Sequence, residues 1–174
     1  MHGDEPVDQP VIRAETPDDR RGVRFINEAA FGTSEEADLV EALRLEGAVL
    51  LSLVAELEDR LVGHILFSRM WLQTAHGAVA AVALAPMAVL PRFQRRGVGG
   101  RLIRTGLDTL RAMGERIVIV VGHPDYYPRH GFSSESARAL EGPFPREAFM
   151  ALELTPGALD GIRAVVRYPQ SFGI

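Results

Sequence analysis

Residues 79–113 constrain the fold most. An apolar run, 79–89, carries a proline at Pro86 and feeds a short basic loop, 90–96. The loop enters a segment that opens with Gly97, Gly99 and Gly100. Val98, Leu102, Leu107, Leu110 and Met113 then recur at helical spacing until Gly114. The apolar period thus changes from strand to helix across one turn. The next β-branched run, 117–121, predicts a buried strand after the helix. A helix N-terminus exposes backbone N–H groups and carries partial positive charge. Glycines there let an anion approach the backbone closely. Arg95, Arg96 and Arg101 add full charges beside it. The segment predicts a pyrophosphate site built mostly from backbone, over 94–101.

The plainer reading, that these glycines only pack helix against strand, is weighed against what the loop lacks. A Walker-type loop needs Gly-Lys-Ser/Thr, which is missing. A dinucleotide fingerprint needs a third glycine where this chain has Leu102. Pro86 adds a second constraint. Proline cannot donate to a sheet ladder, so inside a strand it marks an edge, a bulge or a place where strands part. Beyond it, Met87, Ala88 and Val89 are expected to offer backbone groups to an extended ligand bearing amides, and pantetheine is such a ligand.

The rest of the chain supplies a frame for this unit. Its 174 residues fit one domain with a sizeable core. Residues 1–9 are expected to be loose and 10–174 to form the domain. Strands are predicted over 11–14, 49–56, 61–72 and 79–89, with a hairpin turn at Glu58-Asp59. Helices are predicted from Asp18 or Asp19 to Phe31, and from a Ser34 cap to Gly47. A short helix is expected near 125–130, and closing strands over 149–154 and 162–168. The order gives an α/β fold with one mixed, mostly antiparallel sheet flanked by helices.

Composition removes several functions. The net charge of −4 argues against nucleic acid. No cysteine is present, which excludes disulfides and thiolate chemistry. No apolar stretch is long enough to span a bilayer, and the start is acidic, unlike a secretory signal. A cytoplasmic protein without membrane or nucleic-acid partners is expected.

Gln94-x-x-Gly97-x-Gly99 after a Val-x-Pro strand end resembles the coenzyme A signature of the GNAT N-acetyltransferase superfamily. The order of elements from about residue 11 onward is similar as well. Gly122-His123-Pro124-x-Tyr126-Tyr127-Pro128-Arg129-His130-Gly131-Phe132 and the later 154–159 stretch resemble the YhbS-type bacterial branch. The resemblance implies acetyl-coenzyme A as donor and an amine as acceptor. It also implies a sheet splayed between the strands ending near Val89 and Val121. Met87, Ala88, Val89, Gln94, Arg95, Arg96, Gly97, Val98, Gly99, Gly100, Arg101 and Tyr126 are then the expected coenzyme contacts.

Acetyl transfer needs a neutral amine, a polarised thioester and a stabilised leaving thiolate. Tyr127, four residues before Gly131, is at the family's position for the acid. A phenol is protonated at neutral pH. Packing of the short helix is the competing role for Tyr126 and Tyr127. The family's usual strand carboxylate is missing from 79–89. His123, just past the neighbouring strand, is the candidate base, against a capping role in the Gly-His-Pro turn. Glu28 and Glu35 flank the region that shapes acceptor pockets in the family. His64 reads as a satisfied core histidine, and Phe67, Met70 and Trp71 as core or pocket lining. His130 stands where the branch usually has an apolar or aromatic residue, which predicts either a more polar pocket wall or nothing. His123, Asp125 and His130 fit no zinc pattern, so no metal is expected. The competing function is a non-catalytic acyl-coenzyme A sensor or partner-binding module. A homodimer joined through the C-terminal strands is also compatible with the pattern.

Overall fold

The computed structural model describes residues 9–174. The loose segment expected at the N-terminus lies outside them, apart from Gln9. Eight strands form one sheet: β1 (Val11–Ala14), β2 (Val49–Leu57), β3 (Arg60–Thr74), β4 (Gly77–Val89), β5 (Ile117–Val121), β6 (Leu140–Glu141), β7 (Phe149–Glu153) and β8 (Ala164–Arg167). The path runs β1-β2-β3-β4-β5-β7, antiparallel except at β4–β5. The expected mixed, mostly antiparallel sheet is present. β8 pairs with the far end of β3 on one side and with β6 on the other. β8 is therefore internal, and it is shorter than the predicted closing strand.

Three helices cover the sheet: α1 (Arg20–Phe31), α2 (Glu35–Glu46) and α3 (Val98–Ala112). A 3-10 turn, Pro17–Asp19, precedes α1, so the helix starts slightly later than predicted. Ser34 gives no side-chain cap to α2; Thr33 Oγ1 accepts from the Glu35 N–H instead. α3 lies on one face, where Val98, Leu102, Ile103 and Leu110 meet Phe67, Val82, Leu84, Val118 and Val120. The opposite face is shared. Val23, Val40 and Leu43 cover Val54 and Leu66. Further along, Leu140, Phe149, Ala164 and Val166 cover Met70, Leu72, Ala81, Ala83, Ile117 and Ile119. Strands β3–β5 are thus buried on both faces, which accounts for their continuous apolar sequence. Trp71 departs from expectation: it is exposed, with the Arg69 guanidinium 5.8 Å from its ring centre.

Two departures from regular pairing position the site. The β3–β4 register slips between Ile65↔Met87 and Phe67↔Leu84, which places the bulge at Ala85 and Pro86. Proline's missing N–H explains why the extra residue falls here. β4 and β5 pair only at Val82↔Val118 and Ala83↔Ile119. Beyond them the strands part, as the sequence around Pro86 predicted. Residues 87–89 stay paired to β3 through Ile65, His64 and Gly63, so their other edge faces the gap.

Candidate active site

The gap continues into a cavity of about 640 Å³ over the start of α3. Of the predicted coenzyme contacts, all but Arg96 and Arg101 line it. The floor is the loop into α3. Arg95 has φ 63° and Gly97 φ 81°, so two left-handed residues bracket Arg96. Left-handed residues in succession are a feature of backbone concavities that take anions. For Arg95, which carries a Cβ, the conformation is strained, and such strain is typical of ligand sites. The first helical bond runs from Arg101 N–H to the Gly97 carbonyl, 3.1 Å. The N–H groups of Val98, Gly99 and Gly100 therefore have no helical acceptor.

Gln94 holds the loop in place, its Nε2 donating to the Val89 carbonyl at 3.0 Å. The Arg96 guanidinium is directed to the Phe93 ring, 5.6 Å from its centre. Arg101 bonds Gln9 through Nη1. Arg95 is the member of that arginine trio on the cavity wall.

The opposite wall comes from the turn Tyr127–His130. A Cβ on Gly99 would sit 2.9 Å from Tyr126 Oη and 3.3 Å from Met87 Cε. The phenol of Tyr126 thus reaches the first turn of α3. Burial raises its pKa. Tyr127 is not on the wall. Its ring packs edge-on to Phe132, with centroids 5.8 Å apart, and lies over Gly122 at the end of β5. A Cβ on Gly122 would be 2.3 Å from Tyr127 Cε2, so the glycine makes room for this ring. Burial, and secondarily Tyr126, pushes the Tyr127 phenol up to about 12. His123 is exposed, and its carbonyl accepts from the Tyr126 and Tyr127 N–H groups. Its backbone therefore does the turn-capping weighed against a base role.

Sequence reasoning missed Ala30, Phe31, Phe93 and Arg129 as lining residues, whereas His130 takes the pocket-wall place that was one of its two expected readings. Ala30 and Phe31 come from the end of α1, remote in sequence from the loop. Among the described residues no carboxylate lines the cavity. Glu28 is engaged with Arg24, at 2.8 Å, and Glu35 starts α2; neither reaches the wall. Among the described residues no His/Asp/Glu group could hold a metal ion, and no helix is long and apolar enough to cross a membrane. His64 is buried within a polar chain, as expected of a satisfied core histidine.

Residues 19–132 match the Acetyltransferase (GNAT) family. The chain belongs to that family. It is 45% identical over 130 residues to an uncharacterised N-acetyltransferase of Escherichia coli (strain K12) named YjhQ, covering 73% of this chain and 72% of that one. A second relative from that strain, the uncharacterised N-acetyltransferase YhbS, is 32% identical over 165 residues, 93% of this chain and 98% of the relative. The crystal structure of E. coli YhbS in complex with CoA superposes with a TM-score of 0.91 at 31% identity, covering 99% of this chain and 97% of that chain. A GNAT acetyltransferase from Brucella melitensis in complex with acetyl-CoA gives a TM-score of 0.79 at 34% identity, covering 95% and 99%. The branch resemblance drawn from 122–132 is therefore shared over nearly the whole chain.

Proposed function

We propose that this protein transfers the acetyl group of acetyl-coenzyme A directly to a primary amine of a small molecule or of a peptide or protein. The observation that carries the reading is the β4–β5 gap leading into the concavity at 95–100. A single ligand filling both would bear amides for the strand edge and a pyrophosphate for the loop. Acetyl-coenzyme A has that shape, and two related proteins were crystallised with CoA or acetyl-CoA.

In this reading the free edge of Met87–Val89 pairs with the pantetheine amides. N–H groups near Ala88 and Val89 polarise the thioester carbonyl. The amine nitrogen bonds to the acetyl carbon, the carbon–sulfur bond breaks, and the sulfur leaves with the electron pair. Tyr127, whose ring lies over Gly122 at the end of β5 and so beside the gap and not on the cavity wall, is the proposed acid. Its raised pKa keeps it protonated, and it donates to the developing thiolate. The same apolar surroundings raise the affinity of that thiolate for a proton. The proton lost by the amine passes through water to His123, the proposed base just past the end of β5, and solvent returns a proton to the Tyr127 phenolate. Tyr126 is proposed to wall the coenzyme arm.

The lack of a carboxylate on β4, and among the described residues of the cavity wall, favours one alternative, a non-catalytic acyl-coenzyme A sensor. The test is to mix the protein with acetyl-coenzyme A and a broad panel of amines and peptides and follow free thiol. Amine-dependent thiol release supports the transferase. Tight coenzyme binding with no release across the panel supports the sensor.

A further inference from the structure

His130 has no part in the reading above, yet it lies on the cavity wall. Its Cε1 is 3.3 Å from the Cβ position of Gly100, so the imidazole lies over the first turn of α3. Any larger residue at 100 would push it away. Tyr126 packs edge-on against the ring, 5.1 Å between centroids. Among the described residues, hydrogen bonds to a histidine ring are made only at His64. Both His130 nitrogens are thus available to a ligand resting on that turn.

Among the described residues the charges around the ring have one sign. Arg104 approaches from α3 and Arg129 from the ring's own turn. Arg95 lines the cavity from the loop. The parts of β4 and α1 on the wall, Met87–Val89 and Ala30–Phe31, carry no ionisable side chain, and Tyr126 is a neutral phenol. Burial, then Arg104 and Arg129, lower the His130 pKa in the free protein. A pyrophosphate on the 97–100 N–H groups would reverse that balance, because an anion at hydrogen-bond distance favours the imidazolium.

We infer that His130 is a phosphate ligand, taking up a proton as the coenzyme's pyrophosphate settles on α3, so that coenzyme affinity tightens as pH falls. The inference rests on the coenzyme reading of the cavity.

The test uses dephospho-coenzyme A. Coenzyme A carries a 3′-phosphomonoester that itself titrates near pH 6, as phosphomonoesters do. Dephospho-coenzyme A lacks that group and keeps the pyrophosphate. Binding is measured by titration calorimetry at pH 5.5 and 7.5, for the full chain and for His130→Phe and His130→Gln, with thermal melts confirming folding. Each unit by which binding raises the imidazole pKa contributes up to about tenfold. The natural chain should bind about fivefold or more tightly at pH 5.5, and both variants should change by less than about twofold. At pH 7, two buffers of different ionisation enthalpy should report proton uptake in the natural chain and none in His130→Phe. Equal pH dependence in the natural chain and His130→Phe overturns the inference. So does a pH dependence seen with coenzyme A and absent with dephospho-coenzyme A. Failure of the natural chain to bind either compound would instead refute the coenzyme reading itself.

Discussion

His64 is enclosed in β3, with Asn27 Nδ2 3.1 Å from its Nδ1 and Ser52 Oγ 2.9 Å from its Nε2. Asn27 Nδ2 can only donate, so Nδ1 accepts and Nε2 carries the proton toward Ser52. Ser52 in turn donates to Glu15, which also takes a hydrogen bond from Arg44. The Glu15 carboxylate, 3.8 Å from Nε2, would favour an imidazolium, but Arg44 and Ser52 already engage it. Burial first, then Arg44, push His64 down to about 3. An unfolded chain holds its histidine near pH 6.5. Between those values the unfolded state binds the extra proton, so stability falls as pH falls below 6.5. From pH 7 to pH 5 the loss from this one group is about 2 kcal/mol, because both values lie well above the folded pKa. For a chain of this size that is a melting shift of about 4–8 °C. Urea titrations at the two pH values, on the natural chain and on His64→Leu, measure it. Ser52 keeps Glu15 and Asn27 keeps the Val23 carbonyl in that variant, so neither loses its last partner. The difference between pH 7 and pH 5 should shrink by about 2 kcal/mol in His64→Leu, whatever its baseline. Equal acid sensitivity in the two proteins would refute the argument.

Three further outcomes are expected. Tyr127→Phe should lower kcat about 100-fold while coenzyme affinity stays the same, read by thiol release and calorimetry. Gly122→Ala should cost about 1–3 kcal/mol in denaturant titrations and lower kcat with it, since the new methyl group takes the space of the Tyr127 ring. Asp19 accepts from Arg13 Nη1 and Nη2 at 2.7 and 2.9 Å and from the Thr16 N–H at 2.7 Å, which holds its carboxyl below the usual range. Asp19→Ala should therefore cost about 2–3 kcal/mol at neutral pH, and this difference should vanish as acid protonates the natural carboxylate well below pH 4.

The loop and its flanking strand and helix were legible because their cues are local. Gly97, Gly99 and Gly100 act through backbone, and Pro86 acts through a missing N–H, so both can be read without a partner. The hairpin at Glu58 and Asp59 was legible for the same reason; both residues take positive φ in a two-residue turn. What escaped depends on distant segments meeting. Phe31 reaches the cavity only because α1 packs near β4, and nothing in 20–31 announces that. Tyr126 and Tyr127 are adjacent and chemically alike. Gly122 and Gly99, far apart in sequence, give each ring its place. β6 has two residues and no period to detect. Trp71 looks like core by type but falls where β3 leaves the cover of the helices.

The C-terminal segment lines no part of the cavity, yet it bears on both arms of the gap. β8 is fastened to β3, and β7 to β5. Between them, Leu140, Phe149 and Val166 press on Ala81 and Ala83 of one arm and Ile117 and Ile119 of the other. Mechanically this is a strut set across a wedge. It fixes the opening angle before any ligand arrives, so little of the binding free energy is spent on forcing the arms apart or stilling them. The last forty residues thus set the spacing of a gap whose wall they do not form.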